Sequence, residues 1–97
     1  MSLEKANSIV TDGNLTPKGY YQLTTLSSAV SVPGSGRICW LLAETQPVRI
    51  RDDGTPPTNT VGFLLPVNVC FKYTGDPREL LVIEAVAGAV LNVLSYD

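Results

Sequence analysis

The sequence predicts an all-β fold, a small antiparallel β-sandwich of jelly-roll-like type or a partly open barrel. Three observations indicate this class. Short segments rich in β-branched and aromatic residues recur between residues 20 and 96. Several of them alternate apolar and polar residues with the period of two that a half-buried strand requires. Turn-forming residues separate the segments about every 8 to 12 positions, which is typical of sandwiches and barrels.

Six to eight strands are expected along the chain. The clearest is 48–51, which places Val48 and Ile50 on one face and Arg49 and Arg51 on the other. The apolar run 37–44 predicts a strand buried on both faces. The remaining candidate strands, in chain order, are 20–26, 30–32, 61–65, 67–73, 80–85 and 89–96.

A helix over residues 78–90 is the main alternative to a strand in that part of the chain. Glu79, Leu80 and Glu84 would tolerate one. The β-branched pair Val82-Ile83 and the nearby Gly88 favour a strand followed by a turn.

The 97 residues fit one domain. Residues 1–19 are polar and rich in turn formers, so they are expected to form an N-terminal arm or extended lead-in, with a single β domain over 20–97. The N-terminal residues lack the apolar core of a signal peptide, so secretion is not expected. No apolar run approaches the 18 or so residues of a membrane-spanning helix, and no membrane partner is expected.

Charge and composition exclude several functions. The net charge is −2 and the seven basic residues are dispersed, so no nucleic-acid partner is expected. The chain has no histidine and two cysteines, so neither a metal site nor an enzyme is expected, and no cofactor motif is present. Charged residues make up 16% of the chain, against about 25% in an average globular protein. This deficit predicts apolar surface that meets another subunit.

The candidate partner-binding residues combine a mixed-charge patch with two tyrosines. The alternative for Arg49 and Arg51 is a solvated strand face with weak ion pairs, and the alternatives for Asp52 and Asp53 are a turn and a calcium site. Trp40 is expected in the core, and Cys39 and Cys70 are expected to be buried and reduced. The candidate binding residues are Arg49, Arg51, Asp52, Asp53, Tyr73 and Tyr96.

Residues 43–62 resemble a recurring motif of small proteins from tailed bacteriophages. In that motif a strand ends in Arg-Asp-Asp-Gly-Thr, here residues 51–55, a Pro-Thr loop follows, and a Val-Gly pair, here Val61-Gly62, opens the next strand. Residues 73–76 and 89–96 also match its shape, so the resemblance covers somewhat over half of the chain.

The resemblance implies a non-enzymatic structural protein of the phage particle, either a capsid decoration (cement) protein or a tail-associated subunit. Its expected partners are other particle proteins, such as the major capsid protein, and itself as a homotrimer, since decoration proteins often occupy three-fold positions. The expected location is the virion, after synthesis in the bacterial host cytoplasm. The alternatives are a phage-encoded inhibitor that binds a host protein and a small ligand-binding β-barrel.

Overall fold

The structure, a computed structural model, describes residues 15–97 and contains eight strands. Residues 1–14, most of the expected arm, lie outside the described residues, and the first strand already begins at Pro17. The strands are β1 (Pro17–Leu23), β2 (Val30–Ser31), β3 (Ile38–Glu44), β4 (Val48–Arg51), β5 (Phe63–Leu65), β6 (Cys70–Thr74), β7 (Leu81–Glu84) and β8 (Val90–Tyr96).

The strands form two four-stranded antiparallel sheets. The order in the first sheet is β1-β8-β3-β6, and in the second sheet it is β2-β7-β4-β5. Only the β4–β5 pair joins strands that are neighbours in the chain, so almost every connection crosses from one sheet to the other. This arrangement is that of an eight-stranded jelly roll. The predicted all-β sandwich of jelly-roll-like type is therefore confirmed.

The core lies between the two sheets and is formed by every second side chain of the strands, the one that points inward. Along β4, Val48 and Ile50 are buried while Arg49 and Arg51 are half-buried on the opposite face, as the sequence predicted. The other strands contribute in the same way. The buried apolar residues that line the core are Leu26, Val32, Cys39, Leu41, Ala43, Val48, Ile50, Leu65, Leu80, Val82, Ala89, Leu91 and Val93.

Strand β3 alternates, and the prediction that it is buried on both faces is wrong. Cys39 and Leu41 point into the core, whereas Trp40 is half-buried on the outer face of the first sheet. The reason is architectural: in a sandwich each sheet packs on one side only, so even a central strand presents half of its side chains to the outside. Trp40 is accordingly not part of the core between the sheets.

The burial predicted for both cysteines is wrong for Cys70, which lies in strand β6. Both thiols are free, and Cys39 is buried as predicted, but Cys70 is exposed. The predicted strand 67–73 does not begin until Cys70, because Asn68 adopts a left-handed conformation with φ of 64°. From Cys70 onward, Phe71 and Tyr73 turn inward, which leaves Cys70 on the outer face.

The segment that was ambiguous between helix and strand forms a single 3₁₀ turn followed by a strand. The turn, Pro77–Glu79, is capped by Asp76, whose side chain accepts a hydrogen bond from the Arg78 amide. The chain then enters β7. This outcome confirms the strand over the helix.

Candidate functional site

Four of the six candidate residues line one cleft at the side of the sandwich. Strand β5 is an edge strand of the second sheet, and β6 is an edge strand of the first sheet. A cleft of about 410 Å³ opens beside them. We call it the edge cleft. Its lining includes an apolar floor of Ile50, Phe63, Phe71 and Leu80, and a polar rim of Arg51, Asp52, Asp53 and Tyr73.

The floor of the edge cleft contains side chains that point toward the interior of the sandwich and are nevertheless exposed to solvent. Phe63 pairs with Ile50, so the two side chains lie on the same, inward face of the second sheet. Ile50 is buried, yet Phe63 is 60% exposed. Its ring meets that of Phe71 in the first sheet, with centroids 5.5 Å apart and planes tilted by 42°. Because no further strand of residues 15–97 flanks β5 or β6 on this side, the rings stay open to solvent.

Tyr73 and Asp52 form the first contact of the rim. The Tyr73 hydroxyl donates a hydrogen bond to Asp52 Oδ2 over 3.0 Å. Partial burial, and secondarily the Asp52 carboxylate, raises the pKa of Tyr73 to about 12. The phenol is therefore held in its neutral, donating form. Asp52 accepts from this neutral hydroxyl instead of from a cation.

Arg51 and Asp53 form the second contact of the rim. Arg51 Nε lies 3.0 Å from Asp53 Oδ1, and its Nη2 bonds the other carboxylate oxygen, a bidentate arrangement. The hydrogen bond from Arg51 holds the pKa of Asp53 below its usual value. The Thr55 amide also donates to Asp53 over 3.3 Å, the turn-forming role expected of this residue. With Arg51 committed to Asp53, the rim carries one excess negative charge, on Asp52.

Arg49 and Tyr96 do not join the edge cleft. Arg49 donates from Nε to the carbonyl oxygen of Asn59 (3.2 Å) and from Nη1 to that of Gly62 (2.9 Å), so its guanidinium holds the loop that leads to β5. Tyr96 lies in β8 of the first sheet, paired with Ile38. Neither residue therefore shares the cleft: Arg49 has a structural role, and Tyr96 lies on β8, two strands away from β6.

Two aromatic residues of the floor were missed as candidates. Phe71 alternates with Tyr73 in the sequence, and that period was a usable signal that they share a face. Phe63 gave no comparable signal, because its exposure depends on β5 being an edge strand.

A second candidate surface lies on the outer face of the first sheet. Tyr20 pairs with Leu94, and Leu94 pairs with Trp40, so the three side chains lie side by side across three strands. We call them the outer row. Tyr20 is 57% exposed and Leu94 44% exposed. Lys72, on the next strand, places its ammonium 5.6 Å from the centre of the Trp40 ring.

Hydrogen bonds to Asn92 hold one end of the outer row in position. The Tyr20 hydroxyl donates to Asn92 Oδ1 over 2.5 Å, and Gln22 Nε2 donates to the same oxygen over 3.3 Å. Asn92 Nδ2 in turn donates to the carbonyl oxygen of Leu42 over 3.4 Å. Tyr20 is thus oriented before any partner binds, which lowers the conformational entropy lost in binding.

Residues 15–97 lack a cluster of metal-binding side chains and a long apolar helix. No group of three or more cysteine, aspartate or glutamate side chains in this range could hold a metal ion. In the same range, no helix has the length and apolar character that crossing a membrane requires.

Comparisons with known proteins returned no relative of the chain. No protein-family model matches it, no curated protein matches it, and no solved structure matches it.

Proposed function

We propose that this chain is a non-enzymatic structural subunit of a bacteriophage particle, a capsid decoration (cement) or tail-associated protein. It binds other particle proteins, such as the major capsid protein, and associates with itself as a homotrimer. The observation that carries the proposal is the outer row: Tyr20, Leu94 and Trp40 lie adjacent on the outer face of the first sheet, and two of them are about half exposed.

The physical argument for association begins with the energy of burial. Covering apolar surface contributes about 25 cal/mol per Å². A domain of this size has a thin stability margin, which subunit contacts would widen by mass action. Charged residues make up only 16% of the chain, a deficit that favours apolar surface covered by another subunit. Aromatic residues with a polar end, such as Tyr20 and Trp40, are also the types enriched at protein interfaces.

The cysteines support a role without covalent catalysis. Burial raises the pKa of the Cys39 thiol to about 11, so it stays protonated and unreactive at neutral pH. Cys70 is exposed, but the chain contains no histidine that could activate it. Neither thiol has the environment of a nucleophile.

The phage context of the proposal comes from the Arg-Asp-Asp-Gly-Thr motif and its flanking segments. The jelly roll is compatible with it, because this fold occurs in viral capsid proteins. It also occurs in lectins and cupins, so the fold does not by itself select a function. The motif lies where the edge cleft and its loop are built, at residues 51–62.

Light scattering coupled to size exclusion tests the self-association. The expected mass is three times the 10.4 kDa of one chain. Leu94→Lys should shift the mass toward that of one chain, because it places a charge in the middle of the outer row. Val86→Lys is the matched control, since Val86 is similarly exposed but lies in the turn before β8. A mass of one chain that persists to high micromolar concentration contradicts the trimer.

Mass spectrometry of purified particles tests the virion location. The chain should be present in many copies, and in numbers that match a symmetric position if it decorates the capsid. Its absence from particles of a phage that encodes it would contradict the virion role and favour the inhibitor of a host protein.

A further inference from the structure

We propose that the edge cleft binds a single arginine side chain of a partner protein, whose guanidinium pairs with Asp52 while its aliphatic stem covers the rings of Phe63 and Phe71. The proposal rests on the proposed function only for the premise that this domain binds proteins. It concerns a different surface from the outer row and requires contact with one side chain of the partner, so each of the two hypotheses can fail without the other.

The aromatic floor of the edge cleft supplies the apolar part of the site. Phe63 occupies an inward-facing position, in register with buried Ile50, but is 60% exposed. Phe71 meets it from the first sheet, with ring centroids 5.5 Å apart. The aliphatic stem of an arginine can cover such a ring pair, and the face of an aromatic ring attracts a positive charge. The floor therefore suits a side chain that is both apolar and cationic.

The rim supplies a carboxylate whose charge is not neutralised by the rim itself. Arg51 is bound to Asp53 through two hydrogen bonds, whereas Asp52 accepts from the neutral Tyr73 hydroxyl. The charges of Arg51 and Asp53 cancel, so the rim is negative by the charge of Asp52. A cationic group complements this charge, and an anionic group is repelled.

The surroundings of the rim add to its negative charge. Glu79 lies close enough to Tyr73 for its carboxylate to act on the phenol. The neighbouring Arg78 is bound to Asp76 through two hydrogen bonds, so these two charges also cancel. Lys72 lies in β6 but places its ammonium on the outer face of the first sheet, away from the cleft. The field at the cleft therefore favours a cation.

The geometry of Asp52 and the aromatic floor favours arginine over lysine. A carboxylate offers about four lone-pair sites, and the Tyr73 hydroxyl uses one of them, on Oδ2. A guanidinium can occupy others through its fork of donors, and its flat surface stacks on aromatic rings, which an ammonium cannot do. The volume of about 410 Å³ lies near the small end of the range of about 300 to 1,000 Å³ that ligand sites occupy, which suits one long side chain.

The test uses short blocked peptides that carry one variable residue between glycines. The variable residue is arginine, lysine, leucine or citrulline, which keeps the shape of arginine but is neutral. Each peptide is titrated into the full chain while backbone amide signals are followed by nuclear magnetic resonance. The arginine peptide should bind most tightly, about tenfold more tightly than the citrulline peptide. Its largest shifts should fall on the residues that line the edge cleft.

Phe63→Ala and Leu64→Ala are the decisive pair of variants. The two residues are consecutive and exposed, but they point to opposite faces of β5. Phe63→Ala should weaken binding of the arginine peptide by about tenfold, because it removes an exposed ring of the floor. Leu64→Ala should leave binding unchanged. If Phe63→Ala fails to fold, Phe63→Leu keeps an apolar side chain and removes the ring, and it should lower the preference for arginine over leucine.

Asp52→Asn tests the charge. It should reduce the preference for arginine over citrulline, while Asp97→Asn, which changes the net charge equally, should not. Four results would overturn the proposal. They are equal binding of the arginine and citrulline peptides, equal binding of the arginine and leucine peptides, equal binding by the Phe63 and Leu64 variants, and no shifts at the cleft up to about 10 mM peptide. None of these would alter the expected mass of the trimer, so the two hypotheses are separable.

Discussion

The Tyr73 hydroxyl lies 3.0 Å from Asp52 Oδ2, and this hydrogen bond joins β6 of the first sheet to the turn that follows β4 of the second. It connects two residues that are 21 positions apart in the chain and that both line the edge cleft. Both residues are candidates from the sequence, but their pairing is a consequence of the fold.

Replacement of Asp52 by asparagine should lower the pKa of Tyr73. Partial burial is the main cause of the raised value of about 12, and the hydrogen bond and charge of Asp52 add to it. The pKa should therefore fall but remain above the ordinary value of 10.0. Alkaline titration of the Tyr73 ring by nuclear magnetic resonance measures it. An unchanged pKa in Asp52→Asn would show that the carboxylate does not act on the phenol.

The same pKa predicts a loss of stability at high pH. A group whose folded pKa lies above its unfolded pKa stabilises the fold below the unfolded value and loses that contribution as pH rises through the folded value. For Tyr73 the window runs from pH 10.0 to about 12, and for Cys39 from pH 9.0 to about 11. The free energy of unfolding should fall less steeply above pH 10 in Tyr73→Phe than in the original chain. If the free energies of unfolding of the two proteins fell in parallel above pH 10, the contribution of Tyr73 would be contradicted.

The two cysteines should differ sharply in reactivity. Cys70 is exposed, so a thiol reagent should label it rapidly in the native protein. Cys39 is buried with a pKa raised to about 11, so its labelling should wait for unfolding. Labelling kinetics should show one fast and one slow thiol, and Cys70→Ser should remove the fast phase alone. Two slow thiols in the native protein would show that Cys70 is covered.

Gly36→Ala should destabilise the fold more than Gly88→Ala. Both glycines have a positive φ, 112° and 95° respectively, so both changes cost about 1 to 3 kcal/mol of backbone strain. At Gly36 a Cβ would also come within 2.1 Å of the carbonyl oxygen of Tyr96, whereas at Gly88 nothing lies within 4 Å. That oxygen accepts a hydrogen bond from the Arg37 amide, so a backbone shift that relieves the clash would weaken this hydrogen bond. Chemical denaturation of the two variants measures the difference, and equal losses would contradict the expected clash.

Ser95→Ala should stabilise the protein. Ser95 is buried on the inner face of β8, and its Oγ has no hydrogen-bond partner among residues 15–97. Removal of an unsatisfied buried hydroxyl should raise the free energy of unfolding by about 1 kcal/mol. Ser31→Ala is the control, because Ser31 Oγ donates to the carbonyl oxygen of Arg78 over 2.8 Å and its loss should not stabilise. A destabilised Ser95→Ala would indicate a partner for the hydroxyl.

The sequence by itself determined the fold class, the approximate strands and the pairs of residues that share a face. Alternation placed Val48 with Ile50 and Phe71 with Tyr73, and the β-branched pair Val82-Ile83 favoured the strand over the helix. These properties depend on the two-residue period of a strand and on local preferences, which neighbouring residues encode.

Only the tertiary structure decided which of those faces are covered. Trp40 and Cys70 lie in apolar runs, yet both point away from the core, and Phe63 points inward but remains exposed. Their environments depend on the order of strands in each sheet, with β6 and β5 at the edges. That order is set by pairings between residues far apart in the chain, such as β1 with β8, and no local pattern records it.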